Sequence, residues 1–254
     1  MVRWLLFTRL RMIGAGQTGS VFRGKALLLE STYLIAKGIL KPFLHTWFRW
    51  NIEGIENIPS EGPALLAFNH ISYLDPLASA YVVDKARRVP RFLAKSELFQ
   101  DKRIAWILRG AKQIEVKRGT AIAPMALDNA FASLRKGQLI VIFPEGTITD
   151  DPDLKPLPAK TGAARLALGS GAPLIPCAVW GTQNIWPKGY AKNWWPPRQD
   201  ILVRVGQPIE VAGDPDSTDN WRMVSERLTE AIEVLVASLR PAVPDRRRPK
   251  RRAA

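Results

Sequence analysis

Ala64-Leu65-Leu66-Ala67-Phe68 is an unbroken apolar run that leads directly into Asn69-His70-Ile71-Ser72-Tyr73-Leu74-Asp75-Pro76. Five successive apolar residues bounded by polar and turn-forming ones read as a strand buried on both faces. Ser72 or Asp75 is placed to start a helix, with Pro76 tolerated in its first turn. His70 then stands at the carboxyl end of an inner strand, where open α/β sheets place their ligands. Asp75, five residues on, can turn back to hydrogen-bond one ring nitrogen and leave the other free to take a proton. The bland alternative is a hydrogen-bonded structural histidine, and this stretch alone does not separate the two.

A second run has the same form. Leu139-Ile140-Val141-Ile142-Phe143 passes straight into Pro144-Glu145-Gly146-Thr147. Between and after the two runs, helical and strand patterns alternate. Leu77–Val83, Ser96–Leu108, Pro124–Arg135, Thr161–Leu168 and Ser217–Leu239 read as helices. Arg91–Ala94, Gln113–Val116, Leu174–Val179 and Ile201–Val205 read as strands. Such alternation predicts an α/β fold with a mostly parallel central sheet flanked by helices. In that sheet the two polar strand ends open on the same edge, and so can converge.

The first fifty residues carry eight Lys/Arg against Glu30, and residues 240–254 carry seven against Asp245. Of the net charge of +14, the termini hold 7 + 6 = 13, which leaves about +1 for the middle. A nucleic-acid binder carries its basic surface on the folded module, so this distribution argues against one. Residues 2–13 and 26–50 are also strongly apolar, joined by the glycine-rich stretch 14–24, yet charges interrupt them too often for a spanning helix. Cationic and apolar together, segment 1–49 is expected to lie as amphipathic helices on anionic lipid, peripheral or monotopic at the cytoplasmic face of the cell membrane. The body of the domain is expected over 50–240 and a disordered basic tail over 241–254. Residues 180–197, with Trp180, Trp186, Trp194 and Trp195, form an aromatic loop that is either an interfacial patch or a cover for the sheet.

Lys85–Arg118 holds eleven Lys/Arg against Glu97, Asp101 and Glu115. Most of these suit a solvated face. Arg118, just past a strand and beside Gly119, suits a phosphate because a guanidinium offers its oxygens a bidentate fork, and Lys95 is a second candidate. One cysteine, Cys177, and two histidines, His45 and His70, argue against a disulfide or a zinc site, and no metal is expected. Cys177 sits in an apolar strand and reads as an inert thiol. No Gly-x-Ser-x-Gly elbow is present. A base, its carboxylate and a phosphate clamp without a nucleophile suggest direct transfer onto a substrate hydroxyl.

These residues resemble the glycerolipid acyltransferase family. Asn69-His70 with Asp75 matches its Asn-His-x-x-x-x-Asp motif, and Phe143-Pro144-Glu145-Gly146-Thr147 matches its Phe-Pro-Glu-Gly-Thr motif. Gly110 to Arg118 and Leu174-Ile175-Pro176 are similar to two further blocks, and Glu53–Pro59 to the segment leading into the domain. The resemblance covers roughly residues 50–210. It implies a glycerol-3-phosphate acyltransferase-like α/β domain. It also implies transfer of a fatty acyl group from acyl-CoA or acyl carrier protein, as co-substrate and with no cofactor, to the free hydroxyl of lysophosphatidic acid. Carried over residue by residue, His70 is the general base and Asp75 orients it. Arg118 binds the acceptor phosphate, and Glu145 with Gly146 helps hold the glycerol moiety. Thr147, Asn69 and Lys95 belong to the same substrate-binding set, and Pro176 shapes the acyl or acceptor pocket. Relatives often carry Arg-Ser after the second motif, whereas this chain has Ile148-Thr149. That departure leaves open another lysophospholipid or a glycolipid as acceptor. A non-catalytic basic membrane-binding module is the alternative from outside enzymology.

Overall fold

A computed structural model describes residues 38–100, 105–116 and 123–249. Seven strands form one sheet: β1 (Phe48–Glu53), β2 (Ala64–Phe68), β3 (Pro90–Lys95), β4 (Ile114–Val116), β5 (Leu139–Ile142), β6 (Leu174–Trp180) and β7 (Gln199–Val205), in the order β1-β7-β6-β2-β5-β3-β4. All neighbours are parallel except β6 and β7. The helices are α1 (residues 38–47), α2 (Asp75–Lys85), α3 (Ala105–Gly110), α4 (Ala123–Arg135), α5 (Gly162–Ser170) and α6 (Thr218–Leu239).

Strict alternation along the central strands explains why they are apolar throughout. Leu65, Ala67, Ile140 and Ile142 face the layer made by α4, α5 and α6. Ala64, Leu66, Phe68, Leu139 and Val141 face α2 and Leu44 of α1. Helix α6 presents Val224, Leu228, Ile232, Val236 and Leu239 at intervals of three and four, a single buried stripe. Ser217 starts it, accepting a hydrogen bond from the Asn220 N–H.

β2 and β5 lie side by side with Ala67 opposite Ile142, so His70 and Glu145 leave the sheet at neighbouring points on one rim. The expected helices and strands are present, with one helix broken: Ser96–Phe99 is a 3-10 turn and α3 starts at Ala105. Two elements depart from expectation. The boundary expected at residue 50 falls inside β1, which pairs in parallel with β7 about 150 residues later in the sequence. The tail, expected to be disordered from Pro241, is held through Pro249 by the Asn184 side chain, a backbone hydrogen bond from Ala191 to Arg248 and a bridge from Tyr190 to Pro249. The expected interfacial helix at 2–13 and the link at 14–24 lie outside the described residues. Among the described residues no helix is long and apolar enough to cross a membrane.

The Trp-rich loop is largely a cover. Trp186 and Trp194 pack on the core beneath α2, and Trp47 Nε1 donates to the Trp194 carbonyl at 3.0 Å. Trp195 is the exception, 71% exposed.

Candidate active site

His70 follows β2 by two residues and sits at the rim because the chain turns there to enter α2. Its Nδ1 lies 2.8 Å from Asp75 Oδ2, and its ring stacks on Phe143 with centroids 4.3 Å apart. That contact assigns the ring proton to Nδ1 and makes Nε2 the basic atom. Nε2 has no hydrogen-bond partner among the described residues, and the side chain keeps 16% of its surface.

Asp75 is fully buried, and its carboxylate is the hub of the turn. Oδ2 also accepts the N–H groups of Ile71 and Ser72, each at 2.7 Å, and Oδ1 accepts the Thr182 hydroxyl at 2.6 Å. Four donors fix its position. Asp75 opens α2 as its first residue, and no side chain caps that helix. Ser72 instead accepts the Leu74 N–H and donates towards the Thr182 and Trp186 carbonyls. The loop after β6 is thereby stitched to the loop after β2. Thr182, which pattern reading missed, is the link that orients the carboxylate behind the histidine.

Glu145 has a different place from the expected one. It is 3% exposed, and both carboxylate oxygens are taken by backbone. Oε1 accepts the His70 N–H at 2.7 Å and Oε2 the Leu157 N–H at 3.0 Å. It therefore clamps the His70 backbone to the loop after β5. Burial raises its pKa from 4.5 to about 7; the two N–H groups oppose that rise and the nearby Asp75 charge adds to it. Between those two pH values the folded form retains a proton that the unfolded chain has lost, so stability falls as pH rises through this window. Thermal melts should show that decline from about pH 4.5 to about pH 7. Glu145→Gln should flatten it, and an unchanged slope in the variant would refute this assignment.

Asn69 is likewise not at the opening. It is fully buried, donating to the Val179 carbonyl at 3.1 Å and accepting the Val179 N–H at 2.7 Å. Its amide continues the ladder between β2 and β6 past the last strand residue. Pro176, expected to shape the pocket, sits mid-strand opposite Ala67. It is buried close to Gly206, beside Leu235 of α6, away from the rim. Arg118 lies outside the described residues, as does the side chain of Lys95. Other arginines of the basic segment serve the fold. Arg88 donates to the carbonyls of Pro59, Gly62 and Gly137, and Arg109 to that of Phe99.

Gly146 adopts φ +75, which any side chain would strain, and a Cβ there would meet the Lys160 ammonium at 2.9 Å. Lys160, also missed from sequence, thus lies across the turn after β5. It has no carboxylate partner among the described residues. Thr147 beside it is half-buried and its hydroxyl has no partner among them. Burial pushes the Cys177 thiol up, so it is inert, as its apolar strand predicted. No group of side chains suited to a metal ion occurs among the described residues.

The arrangement supplies an oriented imidazole base, a buried carboxylate behind it and a free ammonium nearby. The Acyltransferase family model matches residues 49–180, which spans both strand-end motifs and the loop carrying Lys160. A 1-acyl-sn-glycerol-3-phosphate acyltransferase of Bacillus subtilis is 26% identical over 187 residues, covering 72% of this chain and 84% of that protein. A chloroplastic 1-acyl-sn-glycerol-3-phosphate acyltransferase of Brassica napus is 29% identical over 159 residues, covering 62% of this chain. The chain spans less than half the length of that relative, 44%. The fold is similar to that of the 1-acyl-sn-glycerophosphate acyltransferase of Thermotoga maritima, with TM-score 0.59 and 24% identity over 86% of this chain and 84% of that one. By the family match, which takes in more than half of its length and both motifs around His70 and Glu145, the chain belongs to the Acyltransferase family.

Proposed function

We propose that this chain transfers a fatty acyl group from a thioester, acyl-CoA or acyl carrier protein, to the free hydroxyl of 1-acyl-sn-glycerol-3-phosphate, forming phosphatidic acid for phospholipid synthesis. The observation that carries the reading is the His70–Asp75 pair, 2.8 Å apart, with Nε2 at the rim and without a partner among the described residues. Nε2 takes the acceptor's hydroxyl proton as that oxygen attacks the thioester carbonyl. The imidazolium so formed is stabilised by Asp75, with its charge held in a buried network. Collapse of the tetrahedral intermediate breaks the C–S bond, and the departing sulfur takes the proton from His70. No residue of the chain becomes acylated.

Arg118 is assigned to the acceptor phosphate, with Lys160 as a nearby cation and Thr147 within the same turn as a hydroxyl contact. Arg118→Ala is expected to raise the acceptor KM about ten- to a hundredfold with the donor KM unchanged, from loss of a charge-assisted contact. A change confined to the donor KM would contradict the assignment.

The alternative acceptor, a lysophospholipid with a larger headgroup or a glycolipid, is favoured by one observation. Ile148 stands where relatives often carry arginine and is buried, with its carbonyl facing the Lys188 ammonium at 3.3 Å. Thiol release measured across lysophosphatidic acid, larger-headgroup lysophospholipids and glycolipids separates the readings. Highest kcat/KM on lysophosphatidic acid supports the first, and preference for any other acceptor replaces it. The reading also places the chain on an anionic membrane surface at the cytoplasmic face. In support, α1 exposes Ile39, Leu40 and Phe43, and Trp195 stands out beside it.

A further inference from the structure

The basic tail is built into the fold in a way that its composition does not explain. Asn184 pins it from both sides, donating Nδ2 to the Pro244 carbonyl at 3.0 Å and accepting the Arg246 N–H at 2.6 Å on Oδ1. The Ala191 N–H then donates to the Arg248 carbonyl at 2.9 Å. Arg247 is used structurally: it pairs with Asp245, donates to the Pro152 carbonyl and lies 4.8 Å over the Tyr190 ring. In an extended chain successive side chains point to opposite sides. Arg246 and Arg248 accordingly share the other side, where they line a cavity of about 390 Å³.

Arg49 and Arg198 line the same cavity. Its one acid is Asp200, which Arg49 already holds at 2.9 Å. Arg198, Arg246 and Arg248 have no carboxylate partner among the described residues. Like charges fixed around a concavity repel one another until an anion fills it, and guanidinium groups match phosphate oxygens as bidentate forks. The volume falls in the range of small-ligand sites.

Its place in the fold narrows the ligand. The cavity lies at the ends of β6 and β7, on the rim that carries His70. The 3-10 turn Thr182–Asn184 separates the two, with Thr182 touching Asp75 on one side and Asn184 lining the cavity on the other. β7 is two strands from β2, about 10 Å at ordinary strand spacing. An extended pantetheine arm bridges that span. The acceptor phosphate is assigned to Arg118, which is not among the residues lining this cavity.

We infer that the cavity lined by Arg49, Arg198, Arg246 and Arg248 takes the phosphates of the acyl donor, those of the nucleotide end of coenzyme A. This rests on the acyltransferase reading, but its test does not require turnover. Titration calorimetry on the full chain with coenzyme A and with adenosine 3′,5′-bisphosphate is expected to show binding that weakens with salt. The double variant Arg246→Ala, Arg248→Ala should weaken it about tenfold or more. Arg222→Ala, on an exposed face of α6, removes a charge elsewhere and should leave it unchanged. In turnover, the double variant should raise the KM for acyl-CoA and leave that for a phosphate-free acyl-pantetheine as it was. Unchanged affinity in the double variant, an equal loss in Arg222→Ala, or binding of an acidic carrier protein without binding of coenzyme A would overturn the inference. If wild type binds coenzyme A in the expected pattern yet releases no thiol with any acceptor, the acyltransferase reading fails and the phosphate site stands.

Discussion

His70→Ala is expected to lower acyl transfer by about 10²–10⁴-fold, the usual contribution of a general base, with little loss of stability. The side chain makes one hydrogen bond and one ring contact, whereas the backbone N–H that anchors the turn to Glu145 survives the substitution. Far-ultraviolet circular dichroism and a thermal melt establish the fold, and thiol release in the presence of lysophosphatidic acid reads the chemistry. If His70 and not a nucleophilic side chain carries the step, as proposed, the variant should also show no burst of bound acyl group. Near-normal turnover by a folded His70→Ala protein would remove the base from the account.

Asp75→Asn is expected to damage both activity and stability. An amide keeps one acceptor oxygen but turns an NH₂ group towards donors. Depending on its orientation it opposes the Thr182 hydroxyl or the group formed by the Ile71 and Ser72 N–H and His70. Each buried donor left without an acceptor costs about 1–3 kcal/mol, so a loss on the order of 3 kcal/mol is expected in urea unfolding. Activity per folded molecule should fall about 10²–10⁴-fold, since the imidazole loses both its tautomer and its counter-charge. A folded Asp75→Asn protein with the wild-type kcat would show that the carboxylate serves the turn alone. The two variants also differ in kind, because removing the imidazole spares the hub whereas altering the hub disturbs the imidazole.

Much of this arrangement was legible in the sequence. The runs 64–68 and 139–143 read as inner strands, and in a parallel sheet their polar ends open on one edge, where β2 and β5 prove to be neighbours. What the sequence left out depends on partners far along the chain. β1 has every second residue exposed and pairs with β7, a strand about 150 residues away, so its pattern is that of an edge and its local context reads as a turn. The tail is ordered by Asn184 and Ala191, which nothing in its own composition anticipates. The family resemblance implies substrate contacts for Glu145 and Asn69, two polar residues at strand ends. Their oxygens and amides instead satisfy backbone groups of Leu157, His70 and Val179, which would otherwise be buried without partners. Thr182 and Lys160 carry no pattern at all, and both reach the rim through loops that only the fold brings together.

The central claim is that an acceptor hydroxyl attacks a thioester at His70 with no acyl-enzyme in between. The most direct measurement follows free thiol and phosphatidic acid together, using wild-type protein, acyl-CoA and lysophosphatidic acid. The account predicts one thiol released for each ester bond formed and none without acceptor. Acceptor-independent thiol release with retention of the acyl group on the chain, or no release by folded protein with any acceptor, would contradict it.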